Sequence, residues 1–165
     1  MIISTPRLRL RCWAQADRAV FAAMHADSQV MHDCGGPISR SESDAKLDRY
    51  MAIYQDHGFS RCAVETRAGD FLGYAGVMPS GPDHPLASHV QIGWRLMRHA
   101  WGFGYATEAA RAALTDAFVR VGLDAVIAYT AADNLRSQAV MTRLKMRRDP
   151  SCDFTSDYAA IKGWR

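Results

Sequence analysis

Arg98-His99-Ala100-Trp101-Gly102-Phe103-Gly104-Tyr105-Ala106-Thr107-Glu108 lies between an apolar segment ending at Leu96 and an alanine-rich run reaching Val121. Glycine has no Cβ, so a Gly-x-Gly pair lets the backbone turn tightly and approach a ligand closely. A helix starting directly after it presents unpaired N–H groups and the positive end of its macrodipole. Loop and helix start together describe an anion cradle, for which phosphate is the usual occupant. The third glycine of a dinucleotide fingerprint would fall at Thr107, and no Gly-Lys-Ser/Thr follows, so neither a Rossmann turn nor a P-loop is indicated.

On the upstream side, His89 to Leu96 reads as a strand running directly into the loop. Downstream, Ala106, Ala110, Ala113, Leu114, Ala117, Phe118 and Val121 recur at spacings of three and four, with Glu108, Arg111, Thr115 and Asp116 on the opposite side. That is an amphipathic helix whose small residues allow close packing on a sheet. Gly122 suits its C-terminus.

Further out, Leu8, Leu10 and Cys12 alternate with Arg7, Arg9 and Arg11, the period of a half-buried strand. A short helix beginning near Asp17 is expected to bury Val20, Phe21 and Met24. Asp33-Cys34-Gly35-Gly36-Pro37 is a turn, after which Ser41 and Asp44 have the spacing of a capping box. The helix they open would bury Leu47, Tyr50, Met51 and Tyr54 and stop at His57-Gly58. Phe59–Glu65 and Phe71–Met78 form a hairpin through a connection containing Gly69, and residues 79–85 form a proline-rich loop. Ala125–Thr130 is a short strand, Asp133-Asn134 caps a helix containing Val140, Met141 and Leu144, and Tyr158–Trp164 closes the chain as a strand. The expected architecture is one α/β domain over residues 1–165, with an antiparallel start and a later strand–helix–strand crossover.

Composition narrows the function classes. A chain of 165 residues with 48% hydrophobic and 22% charged residues can bury a core. Its net charge of +3 is too small to indicate nucleic acid, and the cluster Arg143, Lys145, Arg147, Arg148 reads as a solvated helix end. The four cysteines, Cys12, Cys34, Cys62 and Cys152, contain no Cys-x-x-Cys pair, so neither a metal knuckle nor a disulfide framework is expected. No apolar run is long enough for a membrane span, and the charges at Arg7, Arg9 and Arg11 stand where a signal peptide needs its apolar core. The expectation is a cytoplasmic protein without a metal, monomeric or homodimeric.

Trp94-Arg95-Leu96, the string Trp101-Gly102-Phe103-Gly104-Tyr105-Ala106-Thr107-Glu108-Ala109, Asn134, Ser137 and Val140-Met141 together resemble the GNAT superfamily of acyl-CoA N-acyltransferases. The RimJ/RimL-like branch is the nearest, and the opening Thr5-Pro6-Arg7-Leu8 also fits it. The resemblance implies a mixed, mostly antiparallel sheet splayed in the middle and flanked by about four helices, with acetyl-CoA in the gap. It implies that Trp101, Gly102, Phe103, Gly104, Tyr105, Ala106 and Thr107 hold the pyrophosphate and that Leu96 pairs with the pantetheine arm as an added strand does. Asn134 and Ser137 would also contact the coenzyme, the alternative for Asn134 being that it only caps its helix. Ser137 and Tyr105 are the candidate proton donors to the leaving thiolate, with Tyr129 behind them.

Several positions depart from the family pattern. His99 and Phe103 replace residues that often carry charge or a side-chain amide, and Lys145 stands where glycine is usual. Gln91 stands where relatives often have a glutamate base, which leaves Glu65, His84 and His89 as bases by residue type alone. Two functions fit: acetyl transfer to a protein N-terminus or small amine, or a non-catalytic acyl-CoA sensor that kept the fold. Trp13, Met31, Tyr54 and Phe59 are candidates for lining an acceptor pocket.

Overall fold

The computed structural model describes residues 2–157 and 159–165. Strands β1 (Ile2–Ser4), β2 (Leu8–Arg11), β3 (Arg61–Thr66), β4 (Phe71–Ser80) and β5 (His89–Leu96) form one antiparallel sheet in that order. The predicted alternation in β2 holds, with Leu8 and Leu10 in the core. Arg9 and Arg11 pair with Glu65 on the neighbouring strand. Helices α1 (Arg18–Ala26) and α2 (Arg40–His57) are inserted between β2 and β3. Helix α3 (Tyr105–Asp116) follows the glycine loop, and α4 (Leu135–Arg143) follows β6 (Ala128–Ala131). Strands β7 (Phe154–Thr155) and β8 (Ala160–Trp164) complete a second sheet in the order β6-β8-β7. Tyr158, the predicted start of the last strand, lies outside the described residues.

The two sheets touch through a short parallel bridge between Gln91 and Ile127. Ile92 N–H donates to Ile127 O and Ile127 N–H to Val90 O, each at 2.9 Å. Past this point β5 continues toward Leu96 while β6 turns to pair with β8. A sheet forked in this way exposes one edge of β5.

Opposite faces of the main sheet are covered separately. Ala109, Ala110, Ala113 and Ala117 of α3 and the turn after it pack with Leu10, Val64, Ala75 and Ile92. Phe21, Met24, Leu47 and Tyr50 of α1 and α2 pack on Ala63, Tyr74 and Met78. Burial of each side chain of leucine size contributes roughly 2 kcal/mol. These two layers therefore hold the fork rigidly from both sides.

Three local expectations are corrected. Helix α2 is capped by Ser39 and Glu42 rather than Ser41 and Asp44: Glu42 N–H donates to Ser39 Oγ at 3.2 Å and Ser39 N–H to Glu42 Oε2 at 2.7 Å. Asp44 is drawn outward by Arg40, one helical turn away. Val20 is exposed, on the outer side of α1. Phe118 is also exposed, because α3 widens after Asp116 into a π-helical turn, Ala117–Val121, which breaks the 3.6-residue period.

Candidate active site

The glycine loop is shaped by its backbone. Arg98–Ala100 forms a single 3₁₀ turn, closed when Trp101 N–H donates to Arg98 O at 3.1 Å. Gly102 and Gly104 then take φ of 85° and 77°, the left-handed region that only glycine enters without strain. Gly104 is the residue before α3. The N–H groups of residues 102–107 make no hydrogen bond within the described residues. These donors converge at a helix N-terminus, the arrangement that binds phosphate. Within the stretch 101–107 the Trp101 N–H is thus occupied, and the other six have no partner among the described residues.

The loop is fastened from a distance. Arg7 Nη1 donates to Phe103 O at 2.9 Å, and its guanidinium lies 4.7 Å from the Tyr105 ring. Glu108 accepts from Arg7 Nε at 2.6 Å, from Arg7 N–H at 3.1 Å and from Thr5 Oγ1 at 2.5 Å. The Thr5–Leu8 stretch is therefore a brace for the loop. Phe103 is exposed and stacks on Tyr105, with ring centroids 5.7 Å apart. On the other side Arg136 of α4 lies 4.3 Å from the Trp101 indole and brings a cation to the loop that the sequence reading did not identify.

The strand edge between loop and fork is partly used. Trp101 Nε1–H donates to Leu96 O at 2.9 Å, so the Leu96 carbonyl is occupied. Backbone alternation from Ile92 places the peptide groups of Trp94 on the edge facing the fork.

Asn134 and Ser137 stand together at the start of α4. Asn134 Oδ1 accepts from Ser137 N–H at 3.1 Å, a true N-cap. Its Nδ2 lies 2.7 Å from Asp33 Oδ2, 3.1 Å from Thr130 Oγ1 and 3.3 Å from Ser137 Oγ. Asp33 also binds Arg95 at 2.9 Å, while Arg95 reaches Val30 O and Cys34 Sγ. The turn at Asp33 thus spans the open fork from β5 to α4. Burial pushes the Cys34 thiol up despite the nearby Arg95.

The fork's other face carries the remaining polar groups. Gln91 Nε2 donates to Ser80 Oγ at 2.7 Å, and Gln91 Oε1 accepts from Arg61 Nη2 at 2.9 Å. His89 is two residues away on the same face, opposite Ser80. Its Nδ1 contacts Ala87 O at 2.9 Å, while Nε2 is buried and makes no hydrogen bond among the described residues. A donating Nδ1–H leaves Nε2 as a bare acceptor. The His89 ring lies 4.7 Å from His84 and 5.8 Å from Tyr129. His84 is depressed by burial and by His89, and its Nδ1 accepts from Leu86 N–H at 3.1 Å.

Of the candidate bases, Glu65 is buried among Arg9 and Arg11 and committed to them. Trp13 and Tyr54 share a cavity of about 170 Å³ with Cys12, Cys62 and Arg61, whereas Met31 and Phe59 are core residues. Arg61, Asp33 and Arg136 were missed because their importance depends on strand register and on the fork, neither of which leaves a local signature.

Residues 7–147 match the family model of the acetyltransferase (GNAT) domain. The chain belongs to that family. The chain is 33% identical to YkkB of Bacillus subtilis (strain 168) over 116 residues, 69% of this chain, and spans just under two thirds (66%) of YkkB's length. Its fold matches the acetyltransferase from Agrobacterium tumefaciens str. C58 with a TM-score of 0.87 at 25% identity, over 100% of this chain and 94% of that one. RimL, a ribosomal L7/L12 alpha-N-protein acetyltransferase solved with coenzyme A, matches with a TM-score of 0.78 at 16% identity, over 99% and 96% of the two chains. No helix among the described residues is long and apolar enough to cross a membrane.

Proposed function

We propose that this acetyltransferase moves the acetyl group of acetyl-CoA to a primary amine, and that it lies near the RimJ/RimL-like branch of its family. The observation that carries the reading is the set of unpaired N–H groups at residues 102–107 beside an unpaired stretch of β5. The first suits a pyrophosphate and the second an amide-bearing arm. The donors fit acetyl-CoA. Gly102 to Thr107 would hold the pyrophosphate, and Trp94 with Leu96 would flank the pantetheine. Asn134 would exchange its Asp33 partner to reach that arm. A cytoplasmic setting belongs to the same proposal.

The amine attacks the thioester carbonyl, a tetrahedral oxyanion forms, and the C–S bond breaks as the thiolate leaves. The amine must be neutral to attack. At pH 7 roughly a tenth of an α-amino group of pKa about 8 is neutral, against fewer than about one in a thousand lysine side chains. Gln91 cannot take a proton. His89, with its bare Nε2 on the same face two residues along, supports a base acting directly or through one water. Ser137 is the first candidate to return a proton to the thiolate, with Tyr129 next. Tyr105 is held between Arg7 and Phe103, which supports a packing role for it.

Calorimetry with acetyl-CoA and thiol release with an amine panel test this reading. Micromolar binding with amine-dependent thiol release is expected. No detectable binding at millimolar acetyl-CoA would overturn it.

A further inference from the structure

Arg61, Gly76 and Gly93 lie in one row across β3, β4 and β5. The β3 backbone comes close to Gly76, and the missing side chain at Gly93 leaves a trough that the Arg61 guanidinium fills. A Cβ at Gly93 would stand 2.6 Å from Arg61 Nη2 and 2.9 Å from its Cζ. Arg61 Nη1 donates to Tyr50 Oη and Nη2 to Gln91 Oε1, each at 2.9 Å. The Tyr50 and Tyr74 rings lie 5.7 and 5.8 Å away. Nε is buried without a partner. Its hydrogen-bond and ring partners are all neutral, and no carboxylate pairs with it among the described residues.

A second cation, Lys46, shares the side of α2 that carries Tyr50, the residue whose hydroxyl accepts from Arg61. Lys46 is one helical turn before Tyr50 on α2 and makes no ion pair among the described residues. Burial, with Arg61 and Arg95 nearby, holds its ammonium below the usual lysine range. The third cation, Arg95, takes the local carboxylate, Asp33. Two partly desolvated positive charges are therefore left without a counter-ion. Leaving a buried charge unpaired costs several kcal/mol, more than tyrosine hydroxyls and ring faces return. Such charges persist where a ligand brings the opposite charge.

We propose that the acceptor of this enzyme is an amine that also carries a carboxylate or phosphate, and that Arg61 and Lys46 bind that anion. Arg61 already contacts Gln91, whose backbone makes the bridge at the fork, so an anion seated on Arg61 holds its amine close to the point where β5 and β6 part. The proposal rests on the acetyl-transfer reading above and adds the charge of the acceptor.

The test is acetyl transfer to matched amines: amino acids beside their amides, O-phosphoethanolamine beside ethanolamine, and peptides with an acidic or a neutral first residue. Wild-type enzyme is expected to show kcat/KM at least tenfold higher for the anionic member of one pair, and which pair responds identifies carboxylate, phosphate or peptide. Lys46→Gln and Arg61→Lys should each reduce that preference fivefold or more, mainly through KM, while acetyl-CoA affinity by calorimetry stays within twofold. The unchanged coenzyme affinity shows that the variants are folded. Equal turnover of both members in every pair would overturn the proposal and leave acetyl transfer standing. Acetyl-CoA binding with no transfer to any amine would overturn both readings.

Discussion

Arg7 and Glu108, 101 residues apart, form a fork-like ion pair, with Arg7 Nε and Nη2 each 2.6 Å from Glu108 Oε2. One partner precedes β2 and the other lies in the first turn of α3, so the pair clamps the sheet's outer edge to the glycine loop. Arg7 is about half exposed, which limits the Coulomb part to below about 1 kcal/mol. The clamp acts chiefly by holding Phe103 O and so aiming the donors of residues 102–107.

Glu108→Ala is expected to raise the acetyl-CoA Kd by roughly three- to tenfold with little loss of fold, as the removal of about 1 kcal/mol implies. Burial alone would raise the Glu108 carboxyl, but hydrogen bonds from Thr5 and Arg7 outweigh it and hold it below the usual value of 4.5. A carboxyl depressed in the folded state stabilises fully above its unfolded pKa and loses that stabilisation as pH falls through the folded one. The clamp should therefore persist down to about pH 4.5 and fail below it. Calorimetry across that range checks this, and an unchanged Kd in the variant would count against the clamp.

His89→Gln should lower kcat by on the order of a hundredfold for a strongly basic amine, the usual effect of losing a positioned base. A weakly basic amine, already neutral, should lose much less. Steady-state rates with both amines decide the matter, since equal losses would indicate a structural role for His89.

Lys145 has φ of 63° at the end of α4. Lys145 N–H donates to Thr142 O at 2.9 Å and Met146 N–H to Met141 O at 3.1 Å, a Schellman motif that favours glycine at this position. The left-handed conformation costs a side chain with a Cβ about 1 kcal/mol. Lys145→Gly should raise Tm by roughly 2–4 °C, measured by thermal unfolding. A fall in Tm would contradict this account of the site.

His25 is fully buried against Phe21 and Tyr74, and its Nε2 has no partner among the described residues. Burial, with Lys46 and Arg95 nearby, holds it down to about 4. Between the ordinary 6.5 and about 4 the unfolded chain binds the proton and the folded chain does not, so stability falls as pH drops through this window. The loss is on the order of 3 kcal/mol once both values are passed. Urea unfolding from pH 7 to 4 should show this slope, and His25→Leu should flatten it.

Much of this was legible in the sequence because it is local. Gly102-Phe103-Gly104 followed by an alanine-faced helix announces a tight turn into a helix through the conformational freedom of glycine and the 3.6-residue period. Leu8 and Leu10 declare their strand by alternation, and Gly58 ends α2 as expected. Local patterns also mislead where two alternatives share one spacing. Ser41–Asp44 has the spacing of a cap, but Ser39–Glu42 has it too and forms the cap, while Asp44 pairs with Arg40 and Arg18.

The sequence by itself thus determined the family, the glycine turn into α3 and the order of the longer elements, since each is written in contiguous residues; the short strands Ile2–Ser4 and Phe154–Thr155 were not legible in it. The tertiary structure alone decided that Arg7 braces the loop, that Asp33 spans the fork to Asn134, and that the Arg61 guanidinium lies over Gly93. Those relationships depend on strand register and on the angle at which two sheets part. Register is set by burial of whole faces at once, so it has no signature in any short stretch of chain.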